Sequence, residues 1–320
     1  MPEIPLENLL IGTYSNRDKC TGCTVALFPQ GATGGIDIRG GAPGTRACDS
    51  LLPNRSGGRL HGVLFTGGST FGLGATNGVL EFLVEQGWGS RIDHLVIPIV
   101  PTAVVFDLFI GESHAYPSAT DAYQACLNAS KEVALGNHGA GTGAVVGKLQ
   151  GTRMGTKGGQ GWAVSETGEL KVCALSIVNA FGDVVVRNGE ILAGARDPHE
   201  GRFLNTSRAM KEGTVRRVPD FQTNTTLVLV VTNARLAKSQ CLRVSSMAHT
   251  GMARAIRPVH TEFDGDIVIT ASVGDLTADT NLVGLLAAEA TEESIRSGVL
   301  AAESLGGIPA LTLTKPHQKA

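Results

Sequence analysis

The sequence predicts a layered α+β sandwich. Short runs rich in Val, Ile and Leu come in consecutive groups bounded by Gly, Asp or Pro, which reads as strands. Fewer and longer segments carry apolar residues at a helical period. The strict strand–helix–strand alternation of a doubly wound sheet is absent. With 320 residues, 42% of them hydrophobic, the chain can bury one large core shared between layers.

In chain order, strands are predicted at 24–28, 36–39, 62–65, 95–100, 172–179, 183–186, 226–232 and 267–273. Helices are predicted at 71–86, through Leu80, Leu83 and Val84, and at 121–134, through Ala122, Ala125, Cys126 and Ala129. Two more fall at 235–256, through Leu236, Val244, Ala248, Met252 and Ala255, and at 282–302, through Leu285, Ile295 and Val299. The least periodic stretch, 195–224, is rich in Arg, Asp and Pro and reads as a long exposed loop leading into a strand.

Composition narrows the function classes. A formal net charge of -2 gives no footprint for a nucleic acid, and only 5% aromatic residues gives no base-stacking platform. No apolar run reaches a membrane span, and the start of the chain shows no basic region followed by an apolar stretch. A cytoplasmic protein with reduced thiols is therefore expected. Of the six cysteines, only Cys20 and Cys23 have metal or redox spacing, with no second pair. Cys23 opens an apolar run and reads as a buried strand residue. No metal site and no cofactor are expected.

Three catalytic motifs fail on inspection. Gly67-Gly68-Ser69-Thr70-Phe71 approaches a serine elbow, but Phe71 stands where glycine is required. Its backbone amides, at Gly68 and Ser69 among them, are candidates to line a pocket. Gly147-Lys148 approaches a phosphate loop, but Thr142 and Leu149 break it. The eight histidines are scattered, without an HExxH pattern.

One tetrapeptide, Thr223-Asn224-Thr225-Thr226, ends the polar loop and runs straight into Leu227-Val228-Leu229-Val230-Val231. By itself it reads as a turn and strand start. A hydroxyl at the first residue of a buried strand also suits a nucleophile, and a threonine nucleophile can use its own α-amine as base. That arrangement requires a cut before the threonine.

Six segments in order decide between these readings. They are Gly34-Gly35-Ile36-Asp37-Ile38-Arg39-Gly40-Gly41-Ala42-Pro43-Gly44-Thr45-Arg46, Thr66-Gly67-Gly68-Ser69-Thr70-Phe71-Gly72-Leu73, and Gly139-Ala140-Gly141-Thr142-Gly143-Ala144 with Lys148. Val178-Asn179-Ala180, Asn224-Thr225-Thr226 and His260-Thr261-Glu262-Phe263-Asp264-Gly265-Asp266 follow. Together they resemble the self-processing family of the D-aminopeptidase DmpA, the β-aminopeptidases and the nylon-oligomer endo-hydrolases, over nearly the whole chain.

The resemblance implies a four-layer αββα sandwich, also that of the ornithine acetyltransferases, and self-cleavage between Asn224 and Thr225. A single domain over 1–320 would thus become fragments 1–224 and 225–320. It implies Thr225 as nucleophile, Asn179 as oxyanion donor, and Lys148, Asp264 and Asp266 as active-site residues. The aminopeptidase branch carries a serine at the position of Asp264, so this chain follows the threonine, two-aspartate branch. Where the nylon-oligomer branch has an active-site tyrosine, this chain has Phe106, which keeps the ring and loses the hydroxyl. From residue type alone, Asn179 also reads as a strand-end turn residue, Lys148 as a surface lysine, and Asp264-Gly265-Asp266 as a β-turn.

The implied activity is that of an amide hydrolase, an aminopeptidase on short peptides or amides, acting without cofactor as a homo-oligomer, a tetramer being one such arrangement. Acyl transfer to an amine, as in the ornithine acetyltransferases, is the competing enzymatic reading. Their usual Ala-Thr junction is not what stands here. An uncleaved binding protein on the same fold is the third.

Overall fold

A computed structural model describes residues 1–57, 59–197, 201–213 and 224–311. Nine strands dominate: β1 (Leu10–Asn16), β2 (Thr21–Ile38), β3 (Thr45–Arg46), β4 (Leu60–Thr66), β5 (Thr102–Val104), β6 (Gln160–Thr167), β7 (Leu170–Asn179), β8 (Thr225–Ala234) and β9 (Ile267–Leu276). Their order is β6-β7-β8-β9-β2-β4-β5-β3, with β1 on the other side of β2. The pairs β8–β9 and β4–β5 are parallel.

The long β2 joins what are physically two sheets. Its first half pairs with β1 and β4, and its second half, from Thr33 to Ile38, pairs with β9. Between them the register shifts and Gly31 takes a φ of 68°, so the strand turns a corner from one sheet to the other.

Side-chain alternation then builds four layers. Inner faces meet through Phe28, Phe65, Leu175, Ile177, Leu227, Leu229, Ile267 and Ile269. The outer face of the β7–β8–β9 sheet, through Val172, Val228, Val230 and Val268, packs on helices α4 (Lys238–Ala255) and α5 (Thr280–Leu300). The outer face of the other sheet, through Cys23, Val25, Leu27 and Leu64, packs on α1 (Thr76–Glu85) and α2 (Ala119–Leu127). The architecture is the αββα sandwich. Close approach of α4 explains one motif glycine: a Cβ on Gly35 would lie 2.3 Å from the Leu242 nitrogen.

Several boundaries differ from the sequence reading; the strands predicted at 24–28 and 36–39, for example, are one strand, Thr21–Ile38. The predicted helix 121–134 begins with a Ser118/Asp121 capping box but stops at Leu127. There Asn128 turns back to the Thr13 carbonyl and Ser130 pairs with Ile11. The predicted strand 95–100 survives only as Leu95–Ile97, in an exposed hairpin with Ser90–Ile92, because Pro98 cannot continue the ladder. The described part of the stretch 195–224 is mixed, with Ala195, Thr206 and Asn224 buried and most of residues 201–213 exposed or half-buried. It holds a short helix, Thr206–Lys211, and the buried Asp183 carboxylate accepts from Ala195 N at 3.1 Å and Thr206 N at 2.7 Å. Residues 198–200 and 214–223 of that loop, and 312–320 of the expected second fragment, lie outside the described residues.

Candidate functional site

The site sits where β7 ends and β8 begins. In the antiparallel β7–β8 ladder, Asn179 is the direct partner of Thr225. Both have the parity of Ile177 and Leu227, so their side chains share the inter-sheet face. Thr225 is 4% exposed and Asn224 wholly buried. A hydrogen bond of 2.6 Å runs from the Thr225 hydroxyl to the Asn224 carbonyl, the group its attack would convert. The same oxygen accepts from the Gly265 N–H at 2.6 Å.

The loop from His260 to Asp266 lies alongside. Asn224 N–H donates to the Phe263 carbonyl at 2.7 Å, and Asn224 forms a parallel bridge with Asp264. Gly265 is required here, since a Cβ would come within 2.8 Å of both the Thr225 hydroxyl and the Ala42 carbonyl. The glycine-rich run after β2 therefore acts as a backing wall: Ala42 N–H donates to the Asp264 carbonyl at 2.9 Å.

The two aspartates are buried and do different things. Asp266 accepts from Thr226 N–H at 2.7 Å through one oxygen and from the His260 backbone at 3.1 Å through the other, which also meets the His260 ring at 2.9 Å. Asp264 is held by Thr261, through N–H at 3.0 Å and hydroxyl at 2.5 Å, and by Phe181 N–H at 3.2 Å. Burial, and next the nearby Asp266 charge, push the Asp264 carboxyl up. Neither carboxylate bonds the Thr225 hydroxyl; both are held by N–H groups of the surrounding backbone.

Lys148 is buried, against its surface reading. Its ammonium donates to Asn179 Oδ1 at 2.8 Å, an oxygen that also accepts from Val145 N–H at 3.0 Å. Burial pushes the Lys148 amine down to about 7, against the opposing pull of Asp264 and Asp107. Asn179 Nδ2 donates to the Phe106 carbonyl at 3.3 Å, its longest bond and hence the one most readily given up to a substrate oxygen. Phe106 thus meets the site through its backbone, while its ring packs on Phe109 at 4.8 Å.

Sequence reasoning passed over Asp107. It is buried and accepts from Gly68 N–H at 2.7 Å and the Thr21 hydroxyl at 2.8 Å. Burial raises its carboxyl to about 6. A Cβ on Gly67 would stand 2.2 Å from Asp107 Oδ2, which accounts for that glycine. The Gly68 amide therefore serves this carboxylate, and Ser69 N–H is bound to the Val105 carbonyl at 3.0 Å. Neither amide is open to a pocket as drawn from sequence. A lone acid in the apolar run Val104-Val105-Phe106-Asp107 was the available signal. His260, within a recognised motif, was the other residue without an assigned role. Cys23 is a buried strand residue, and among the described residues no group of His, Cys, Asp and Glu is arranged to hold a metal.

A model of peptidase family S58 matches residues 6–312. An uncharacterised aminopeptidase of Mycobacterium tuberculosis is 36% identical over 321 residues, covering 90% of this chain and 88% of that protein. A 6-aminohexanoate-oligomer endohydrolase of Paenarthrobacter ureafaciens is 29% identical, covering 84% and 74%. Among solved structures, the L-aminopeptidase D-Ala-esterase/amidase of Ochrobactrum anthropi, described as a variant of the Ntn-hydrolase fold, superposes with a TM-score of 0.71 at 20% identity, over 95% of this chain and 87% of that one. A Burkholderia β-aminopeptidase gives 0.67 at 20% identity, over 96% and 89%.

Proposed function

Since the chain belongs to peptidase family S58, and so is a hydrolase of peptide or other amide bonds, we propose that it is a self-processing N-terminal-threonine enzyme with Thr225 as nucleophile. The cut falls between Asn224 and Thr225, giving fragments 1–224 and 225–320 that stay in one fold. The mature activity is that of an aminopeptidase on short peptides or amides. One observation carries this reading: the Thr225 hydroxyl and the Gly265 N–H converge on the Asn224 carbonyl, each at 2.6 Å.

Each neighbour then has a task. In maturation no free α-amine exists, so the proton of the Thr225 hydroxyl needs another acceptor. Lys148, with its amine near neutrality and bonded to the ladder partner of Thr225, is that base. The Gly265 N–H receives the developing negative charge on the Asn224 oxygen. After the cut, the Thr225 amine takes over as base and the cation of Lys148 helps keep that amine neutral. Asn179 Nδ2 offers a donor to the substrate oxyanion. Asp266 fixes the entry to β8 through Thr226 N–H, and Asp264 fixes the Phe181 and Thr261 backbones around it.

Intact-mass spectrometry of purified protein tests the cut to the residue. Two species ending at Asn224 and starting at Thr225 are expected, together one water heavier than the whole 33.2 kDa chain. Thr225→Ala should give a single uncut, inactive chain. A folded wild-type chain that stays whole would sink the proposal. Amine release from peptide amides without an added acceptor separates hydrolysis from acyl transfer.

A further inference from the structure

Maturation and turnover share an intermediate, and that identity points to a binding slot. In the proposed maturation, the Thr225 oxygen adds to the Asn224 carbonyl carbon and the bond from that carbon to the Thr225 nitrogen breaks. The nitrogen takes the proton, leaving Asn224 as an ester on Thr225 Oγ1 beside a free α-amine. Water then adds to the ester, frees the Asn224 carboxylate and restores the hydroxyl. An ester on Oγ1 beside a free α-amine is also the acyl-enzyme of turnover. In maturation its acyl residue is simply Asn224.

We propose that the slot which holds Asn224 before the cut is the acyl-residue subsite of the mature enzyme, and that it takes α-aminoacyl amides whose first side chain is no larger than asparagine. The inference rests on the reading of Thr225 as nucleophile. Three features define the slot. The Phe263 carbonyl accepts the Asn224 N–H at 2.7 Å, and the Gly265 N–H donates to the Asn224 carbonyl at 2.6 Å. These form one parallel bridge to Asp264, so a single extended residue fills it. The Asn224 side chain is wholly enclosed, its Nδ2 also turned to the Phe263 carbonyl at 3.4 Å.

Departure of Asn224 leaves the Phe263 carbonyl and the Gly265 N–H spaced for another residue of the same pattern. A nitrogen on the α-carbon meets the first and the scissile carbonyl meets the second. An acyl group without that nitrogen leaves the buried carbonyl unmatched, and a β-amino group carries its nitrogen one atom too far along. The carboxylates of Asp264 and Asp266, either side of Gly265, favour the α-ammonium form of the substrate. Leucine and phenylalanine side chains are larger than the asparagine that lies wholly buried there.

The test uses wild-type enzyme whose cut has been verified by mass, supplied with anilides of L-asparagine, L-alanine, L-leucine, L-phenylalanine and β-alanine, and the 3-carbamoylpropanoyl anilide that lacks the α-nitrogen. Asparagine and alanine anilides should show the highest kcat/KM. Loss of the α-nitrogen should cost on the order of 10- to 100-fold, and phenylalanine at least about tenfold. In parallel, self-cleavage rates of Asn224→Ala, Asn224→Leu and Asn224→Phe precursors should follow the order of the anilides. A matured enzyme that handles the des-amino or phenylalanine anilide as fast as the asparagine one, or that hydrolyses other amides but none of these, overturns the slot. Failure of the wild-type chain to cut overturns the earlier reading of Thr225 instead, and this one with it.

Discussion

Lys157 belongs to the short ladder of Val145–Val146 with Thr156–Lys157, Lys148 lies two residues beyond it, and the two are alike in burial and in the shift of their amines. Both are buried, at 3% and 0% exposure, and burial pushes both amines down to about 7. Their partners separate them. Lys157 donates only to backbone carbonyls, chiefly Ala144 at 2.6 Å and Gly158 at 3.2 Å, and so ties a glycine-rich loop together. Lys148 donates to Asn179, the ladder partner of Thr225. A perturbed amine is therefore a poor mark of function on its own. What the amine touches decides.

The comparison breaks most sharply by substitution. Lys148→Met should slow self-cleavage by roughly 10²- to 10⁴-fold, the ordinary worth of a positioned base. Lys157→Met should leave the cutting rate of folded protein within a few-fold, and time courses on gels check both. Equal loss in the two variants would erase the distinction.

The pH dependence of cutting comes next. Below about 7, where Lys148 is protonated, the wild-type processing rate should fall about tenfold per pH unit, and it should level off above. Single-turnover cutting of freshly refolded precursor reads this directly, and a flat profile through pH 7 would remove Lys148 as the base.

Stability should then reverse the ranking. Lys157→Met deprives buried carbonyls of a donor and should cost on the order of 1–3 kcal/mol in denaturant unfolding of the Thr225→Ala background. Lys148→Met should cost less. Both lysines have folded values below the unfolded 10.5. The stability linked to them is present above the unfolded value and is lost as pH falls through about 7. Melting temperature of Thr225→Ala should therefore rise between pH 7 and pH 8.5, with part of the slope missing in each lysine variant.

The smallest effect expected is that of Asp107→Asn. It keeps the oxygen that faces Gly68 and removes a charge that supports the Lys148 ammonium. The midpoint of the processing profile should move to lower pH, by less than about one unit. A midpoint moved upward would contradict the assigned coupling.

The layers were legible from sequence because they rest on alternation. Leu227, Leu229 and Val231 face one core and Val228 and Val230 the other, as a period of two requires. Helix and strand ends were less so. Asn128 and Pro98 stop elements whose apolar spacing would carry on, and stopping depends on what the next residue can bond. At the site, Thr225, Asn179, Lys148, Asp264 and Asp266 were named through resemblance and do converge on one strand end. Asp107 was not, because a carboxylate whose partners are a threonine hydroxyl and a backbone N–H leaves no charge pattern in the sequence. Gly68 and Ser69 were read as open amides, but their hydrogen bonds turn inward, a fact of backbone geometry that composition does not encode.

The strand order has a consequence for the life history of the molecule. Strands β8 and β9 lie side by side, enclosed between β7 on one edge and β2 on the other. On the proposed cut, the short fragment contributes both middle strands and the long fragment both of their outer neighbours. Neither piece can leave without unzipping ladders on two sides. A chain cut there would weave itself before it severed itself, and a weave assembled as one thread has no easy route back once it is two.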